Sequence, residues 1–159
     1  KTNSIYLIRH ALAPGNGDPD NFDLSDCSTQ RNLNATGILQ SFKIGQFFID
    51  NEIVIDNVYS SQWCRCKDTA SFAFIDYEEL SYLNSFYSQP FILNKDIQMK
   101  DLKKFIFNLK LTNNVVFITH YVVITRKLRV ARCGLWHIVA HGCCSVCCKP
   151  VFGQGSATR

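Results

Sequence analysis

No apolar run in this 159-residue chain reaches the roughly twenty residues that a membrane-spanning helix requires, so no membrane partner is expected. No signal-peptide pattern opens it. A start at Lys1 rather than Met is compatible with a leader already removed, which leaves the compartment open between cytoplasm and a periplasmic or secreted location. No internal repeat and no low-complexity segment occurs in the first 125 residues, which excludes a solenoid or a disordered linker there. Charge is sparse, at 19% Asp, Glu, Lys and Arg, and the formal net charge is +4. That excess is too small to point to nucleic acid, and it favours an anionic substrate. What is plentiful is apolar surface: 47% of residues are hydrophobic, enough for one domain with its own core.

Acidic residues are missing altogether after Asp101. From Arg126 onward the charged residues are Arg126, Lys127, Arg129, Arg132, Lys149 and Arg159, all basic, and Cys133, Cys143, Cys144, Cys147 and Cys148 cluster there. Such a change of character divides the chain into a body, residues 1–125, and an atypical Cys- and Arg-rich tail, residues 126–159.

Within the body, residues 4–9 read as a buried strand and residues 11–33 as a long loop punctuated by Pro14, Gly15, Gly17 and Pro19. Asn34 or Thr36 can cap a helix over 36–50, with Ile38, Leu39, Phe42 and Phe47 as its apolar face. Residues 54–59 read as a second strand, and Ser60 and Ser61 offer an N-cap for a helix through Phe74. The stretch 75–94 is aromatic and irregular. A helix over 96–110 and a strand over 115–119 complete the pattern. Strands alternating with helices predict a three-layer α/β/α sandwich with a mostly parallel central sheet. His10 and His120 stand at the ends of two of those strands, where such sheets bind ligands.

Arg9 precedes His10, and guanidinium forks match phosphate oxygens. Arg65 falls in the first turn of the helix that follows the second strand, where backbone donors also favour anions. A lone histidine or arginine in such a place is more often a satisfied core or salt-bridged residue, so the weight rests on the four groups together.

Four ordered segments resemble the histidine phosphatase, or phosphoglycerate mutase-like, superfamily over residues 4–125. Ile5-Tyr6-Leu7-Ile8-Arg9-His10-Ala11 is similar to the strand that ends in Arg-His-Gly. Leu33-Asn34-Ala35-Thr36-Gly37-Ile38-Leu39-Gln40 resembles the helix start Leu-Thr-x-x-Gly-x-x-Gln. Ser60 to Ala70 is similar to Ser-x-x-x-Arg-x-x-x-Thr-Ala, and Phe117-Ile118-Thr119-His120 resembles the strand that delivers a second histidine. The resemblance implies that neutral His10 attacks phosphorus, with its other ring nitrogen held by a backbone carbonyl. It implies that Arg9, Arg65 and His120, together with Asn16, bind the phosphoryl oxygens, and that water then hydrolyses the phosphohistidine. The partner implied is a small phosphorylated substrate or a phosphoprotein, and neither metal nor organic cofactor is needed.

The chain departs from the family pattern in three places. Ala11 replaces a glycine. Ser85 stands where mutase-like members carry an acidic residue, and His120 is followed by Tyr121, so no His-Asp pair supplies the acid. Asp20, Asp23, Asp26, Glu78 and Glu79 are the candidate acids; a weak or missing acid favours substrates with good leaving groups. The third departure is the tail, whose composition fits a shifted reading frame or a replacement of the final helix and strand.

His137, His141, Cys143, Cys144, Cys147 and Cys148 could together give zinc four ligands, although the paired cysteines break the usual spacing. Cys27 could pair with Cys64 or Cys66, or all three could be apolar fillers. Three functions follow: a phosphatase acting through His10, a catalytically inactive pseudoenzyme that binds phosphorylated ligands, and a zinc-binding or non-functional product of an altered C-terminus.

Overall fold

The computed structural model describes residues 3–110, 112–126 and 135–139. Five strands form one sheet: β1 (Ser4–Arg9), β2 (Ile55–Ser60), β3 (Glu78–Glu79), β4 (Asn114–Thr119) and β5 (Leu135–Val139), in the order β3-β2-β4-β1-β5. Every neighbouring pair is parallel. The helices are α1 (Ala35–Asp50), α2 (Cys64–Phe74), α3 (Lys95–Asn108) and the single turn α4 (Tyr121–Ile124). β5 lies in the segment after residue 125 and takes the sheet edge beside β1.

Side-chain alternation along the two central strands builds the layers. Ile5, Leu7, Val115 and Phe117 point to one face and join Leu102 and Ile106 of α3 with Val123 and Ile124 of α4. Tyr6, Ile8, Val116 and Ile118 point to the other and join Ile44 and Phe48 of α1 with Cys66 and Ala70 of α2. A sheet buried on both faces needs near-continuous apolar strands, which is how β1 and β4 read. The fold is therefore the expected three-layer α/β/α sandwich with a parallel sheet. No helix among the described residues is long and apolar enough to cross a membrane.

The expected elements recur with small shifts. Asn34 is the cap of α1, its side chain accepting from the Gly37 amide at 2.9 Å. Ser60 and Ser61 do not cap α2: Trp63 holds that position without a side-chain cap bond, and Ser61 is engaged elsewhere. The apolar face expected for α1 is corrected. Leu39, Phe42 and Phe47 are half or more exposed, whereas Gly37, Ser41, Ile44, Gly45 and Phe48 face inward. The reason is close approach. A Cβ on Gly45 would lie 2.2 Å from the Ala73 carbonyl oxygen at the end of α2, so the line of closest contact must be glycine, and Ile44 and Phe48 fill the core beside it.

Candidate functional site

The connections place the site. From β1 the chain crosses through α1 to β2, and from β4 it crosses through α4 on the opposite face towards β5. β1 and β4 are neighbours whose following segments leave to opposite sides, so a crevice opens at their carboxyl ends. His10 follows β1 and His120 follows β4. The His10 amide donates to the Thr119 carbonyl at 2.9 Å, and the two imidazole rings are 5.4 Å apart.

The motif residues around them act as spacers and ties. Gly37 lets the loop after His10 rest on α1: a Cβ there would meet the Leu12 carbonyl oxygen at 2.2 Å. Gln40 accepts from the Leu12 amide at 2.8 Å. Thr69 accepts from the Ala11 amide at 2.9 Å while its hydroxyl donates to the Arg65 carbonyl at 2.7 Å. The residues flanking His10 are thus pinned to both helices on that face of the sheet.

His10 is 4% exposed, and its Nδ1 lies 2.8 Å from the Ala11 carbonyl oxygen. A carbonyl only accepts, so in the neutral ring Nδ1 carries the proton and Nε2 the lone pair. Burial, then the Arg65 charge, then Arg9 and Arg31, push His10 down to about 3, against the pull of the Ala11 bond. His10 is accordingly neutral near pH 7. His120 is also buried and is held well below its ordinary value by burial, with His10 and Arg65 adding to it.

Its tautomer can be read from a chain of bonds. The Gln62 amide must donate to Asn84 Oδ1, at 2.9 Å, which fixes that atom as oxygen. The Ser61 hydroxyl donates to the same Oδ1 at 3.1 Å, so Ser61 Oγ accepts from His120 Nε2 at 2.9 Å. Neutral His120 therefore carries its proton on Nε2, next to Cys66 Sγ at 3.4 Å. Burial pushes the Cys66 thiol up to about 12, which keeps it a thiol.

Arg65 is 3% exposed. Its Nη1 and Nη2 donate to Asp18 Oδ1 and Oδ2 at 2.7 and 3.1 Å. Its Nε is buried with no partner among the described residues. Arg31 braces the preceding loop, donating from Nε to the Gly17 carbonyl at 2.8 Å and from Nη1 to the carbonyls of Ala13 and Gly15. Cys27 is joined to Cys64 by a disulfide, which ties that loop to the start of α2, and Cys66 is a buried free thiol.

A cavity of about 280 Å³ brings together the residues expected to handle the phosphoryl group: Arg9, His10, Asn16, Arg65 and His120 all line it. Asn16 sits exposed between Gly15 and Gly17, both at positive φ, and Arg9 stacks 6.0 Å from the Tyr121 ring centroid. Asp18, Arg31, Trp63, Tyr87 and Tyr121 line it too and were not singled out. Their only sequence signal is position in the long loop or beside a motif. None of the five candidate acids lines the cavity. Asp23 and Asp26 accept from the amides of Ser25 and Ser28 in local turns, and Glu79 pairs with Lys67 at 3.4 Å. Ser85 does line it, and Asp18 is its one carboxylate among the described residues. Bonds from Arg65 and the Arg31 amide hold Asp18 below the usual carboxylate value against the opposing effect of burial, so it is ionised.

Among the described residues no cluster of His, Cys, Asp or Glu is placed to hold a metal ion. The zinc reading rests on the tail; it lies outside the described residues apart from the backbone at His137.

No protein-family model and no curated protein matches the chain. Solved structures do. The protein histidine phosphatase SixA complexed with tungstate superposes with a TM-score of 0.54 at 17% identity, over 75% of this chain and 70% of that one. A protein assigned as phosphohistidine phosphatase SixA from Nakamurella multipartitia gives 0.50 at 17%, over 72% of this chain and 58% of that one. Another so assigned, from Agrobacterium tumefaciens, gives 0.49 at 23%. At these identities the likeness establishes a shared fold.

Proposed function

We propose, from a fold shared with the SixA phosphatases and from the chemistry of its own crevice, that this protein hydrolyses phosphorylated substrates through a phosphohistidine on His10. The observation that carries the reading is the pairing of His10 with Arg65. A buried, neutral imidazole keeps its Nε2 lone pair by donating Nδ1–H to the Ala11 carbonyl. Beside it stands a buried guanidinium whose Nε–H has no partner among the described residues. A nucleophile next to an unsatisfied cationic donor is what a phosphoryl group requires.

In this mechanism Nε2 of His10 attacks phosphorus, the bond to the leaving group breaks, and water then attacks the phosphohistidine to release phosphate. Arg9, Arg65 and Asn16 hold phosphoryl oxygens, and their donors are in place before charge develops. His120 donates to an oxygen through Nδ1 only as imidazolium, because Nε2–H is committed to Ser61. A bound dianion and protonation of His120 therefore favour each other. With Ser85 where the resembling family carries its acid and Asp18 ionised, no carboxylic acid among the described residues of the cavity is placed to protonate a poor leaving group. The substrates are those whose leaving group departs unaided: phosphohistidine, acyl phosphates, phosphoanhydrides or aryl phosphates. The SixA proteins it resembles are described as a protein histidine phosphatase and a phosphohistidine phosphatase, which agrees with this class.

The same lack of an acid favours a second reading, a binding-only site. One experiment separates the two: aryl phosphate hydrolysis by the wild-type chain and by His10→Ala, in chelator, with and without vanadate. The expected result is chelator-resistant turnover that falls at least ~1,000-fold in His10→Ala and is inhibited by vanadate. A cooperatively folded protein that binds vanadate without turnover moves the function to binding. A chelator-sensitive activity refutes the metal-free route.

A further inference from the structure

We infer that Asp18, in the loop between β1 and α1, is a positioning residue that holds the Arg65 guanidinium by one edge and leaves the other for the phosphoryl group. The inference rests on the phosphoryl-transfer reading of the same crevice.

Arginine is long and loses much rotamer freedom when fixed, so a buried one needs an anchor. Asp18 grips both terminal nitrogens end-on, at 2.7 and 3.1 Å. Each of its oxygens also takes a second donor: Oδ1 the Arg31 amide at 3.1 Å, and Oδ2 the Trp63 indole Nε1 at 3.0 Å. A guanidinium has a second two-donor edge, formed by Nε–H and the remaining hydrogen of Nη2. That edge contains the buried Nε that has no partner among the described residues.

Two observations favour an anchor over a carboxylate that a substrate must displace. Removing Asp18 from Arg65 would also break the bonds to Trp63 and to the Arg31 amide, which join three parts of the site wall. Charge agrees: the guanidiniums of Arg9, Arg31 and Arg65 match one carboxylate and a phosphoryl dianion, and an imidazolium at His120 adds one further positive charge, so a loaded site can keep Asp18 without excess negative charge. The local chain is built to present the residue. Gly17, at φ +67°, turns the loop immediately before Asp18, and the Cys27–Cys64 disulfide and the Arg31 bonds to Ala13, Gly15 and Gly17 brace it.

The test compares wild type, Asp18→Asn and Asp18→Glu by kcat and KM for an aryl phosphate, by vanadate affinity, and by the ¹⁵N–¹H resonance of Arg65 Nε. Positioning predicts that Asp18→Asn lowers kcat ~10- to 100-fold and weakens vanadate in parallel, with a smaller effect on KM. It also predicts a shifted or broadened Arg65 Nε resonance, and partial recovery in Asp18→Glu. Turnover within twofold of wild type, or tighter vanadate binding in Asp18→Asn, overturns it, the latter by making Asp18 a competitor. If wild type has no His10-dependent turnover, the phosphatase reading has failed. The Asp18 inference then stands or falls on the resonance, and an Arg65 Nε signal unchanged in both variants removes it. Asp18→Glu carries the same comparison should Asp18→Asn fail to fold.

Discussion

Keeping His10 neutral should cost the protein stability in acid, and the cost can be worked from its surroundings. In the native state burial and the guanidinium charges hold His10 down to about 3. Unfolded, it returns to the ordinary histidine value of about 6.5. Between those values the unfolded chain binds a proton that the native one does not, so stability falls as pH drops through that window. For one such group the loss between pH 6.5 and 4.5 is about 2 kcal/mol, an appreciable share of a typical domain's stability. The perturbation is His10→Gln, which removes the titrating ring. The assay is urea unfolding of both proteins at several pH values from 7 to 4.5, with the slope against urea checked for constancy. The variant should lose about 2 kcal/mol less than wild type over that range. His120 titrates in both proteins, and because His10 contributes to its lowering, removing His10 can only widen the difference. Asp18 is held low and titrates below the range used. Equal pH dependence in the two proteins would mean that native His10 is protonated, and the nucleophile assigned to it would be lost.

Two further outcomes test the packing that builds the crevice. Alanine in a helix ordinarily gains about 1 kcal/mol over glycine. Gly37→Ala and Gly45→Ala should instead lose about 1–3 kcal/mol, read as a lower urea midpoint, because each new Cβ meets a carbonyl oxygen at 2.2 Å. Gly37→Ala should also weaken vanadate binding, since Leu12 follows His10 closely; a neutral or stabilising effect would refute the close approach. Digestion without reductant should yield Cys27 linked to Cys64 and Cys66 unlinked. Cys27→Ser should cost about 4 kcal/mol from closure of a loop with a sequence separation of 37. A Cys27–Cys66 peptide would contradict the pairing.

Much of this molecule was legible before its structure. Apolar runs at 4–9 and 115–119 marked the two central strands because a sheet covered on both faces leaves no polar alternation. The histidines at their ends, with Arg9 and Arg65, pointed to the crevice because parallel strands deliver their following residues to one rim. Local chemistry carried those signals, as did the Asn34 cap. Asp18 and Arg31 were not legible. Their roles depend on how the long loop between β1 and α1 folds back onto Arg65, and nothing in its composition separates Asp18 from Asp20, Asp23 or Asp26. The inward face of α1 was misread because hydrophobicity favours Leu39 and Phe42, whereas the inward face includes Gly37 and Gly45, where a neighbouring carbonyl leaves no room for a Cβ. The pairing of Cys27 with Cys64 was likewise decided in space, since Cys66 points into the core two residues on. The sequence by itself determined the fold class and nominated the groups proposed to react, because strand period and residue type are local properties. The tertiary structure alone decided tautomers, protonation and anchoring, because each depends on a partner far away in the chain: Ser61 for His120, and Asp18 for Arg65.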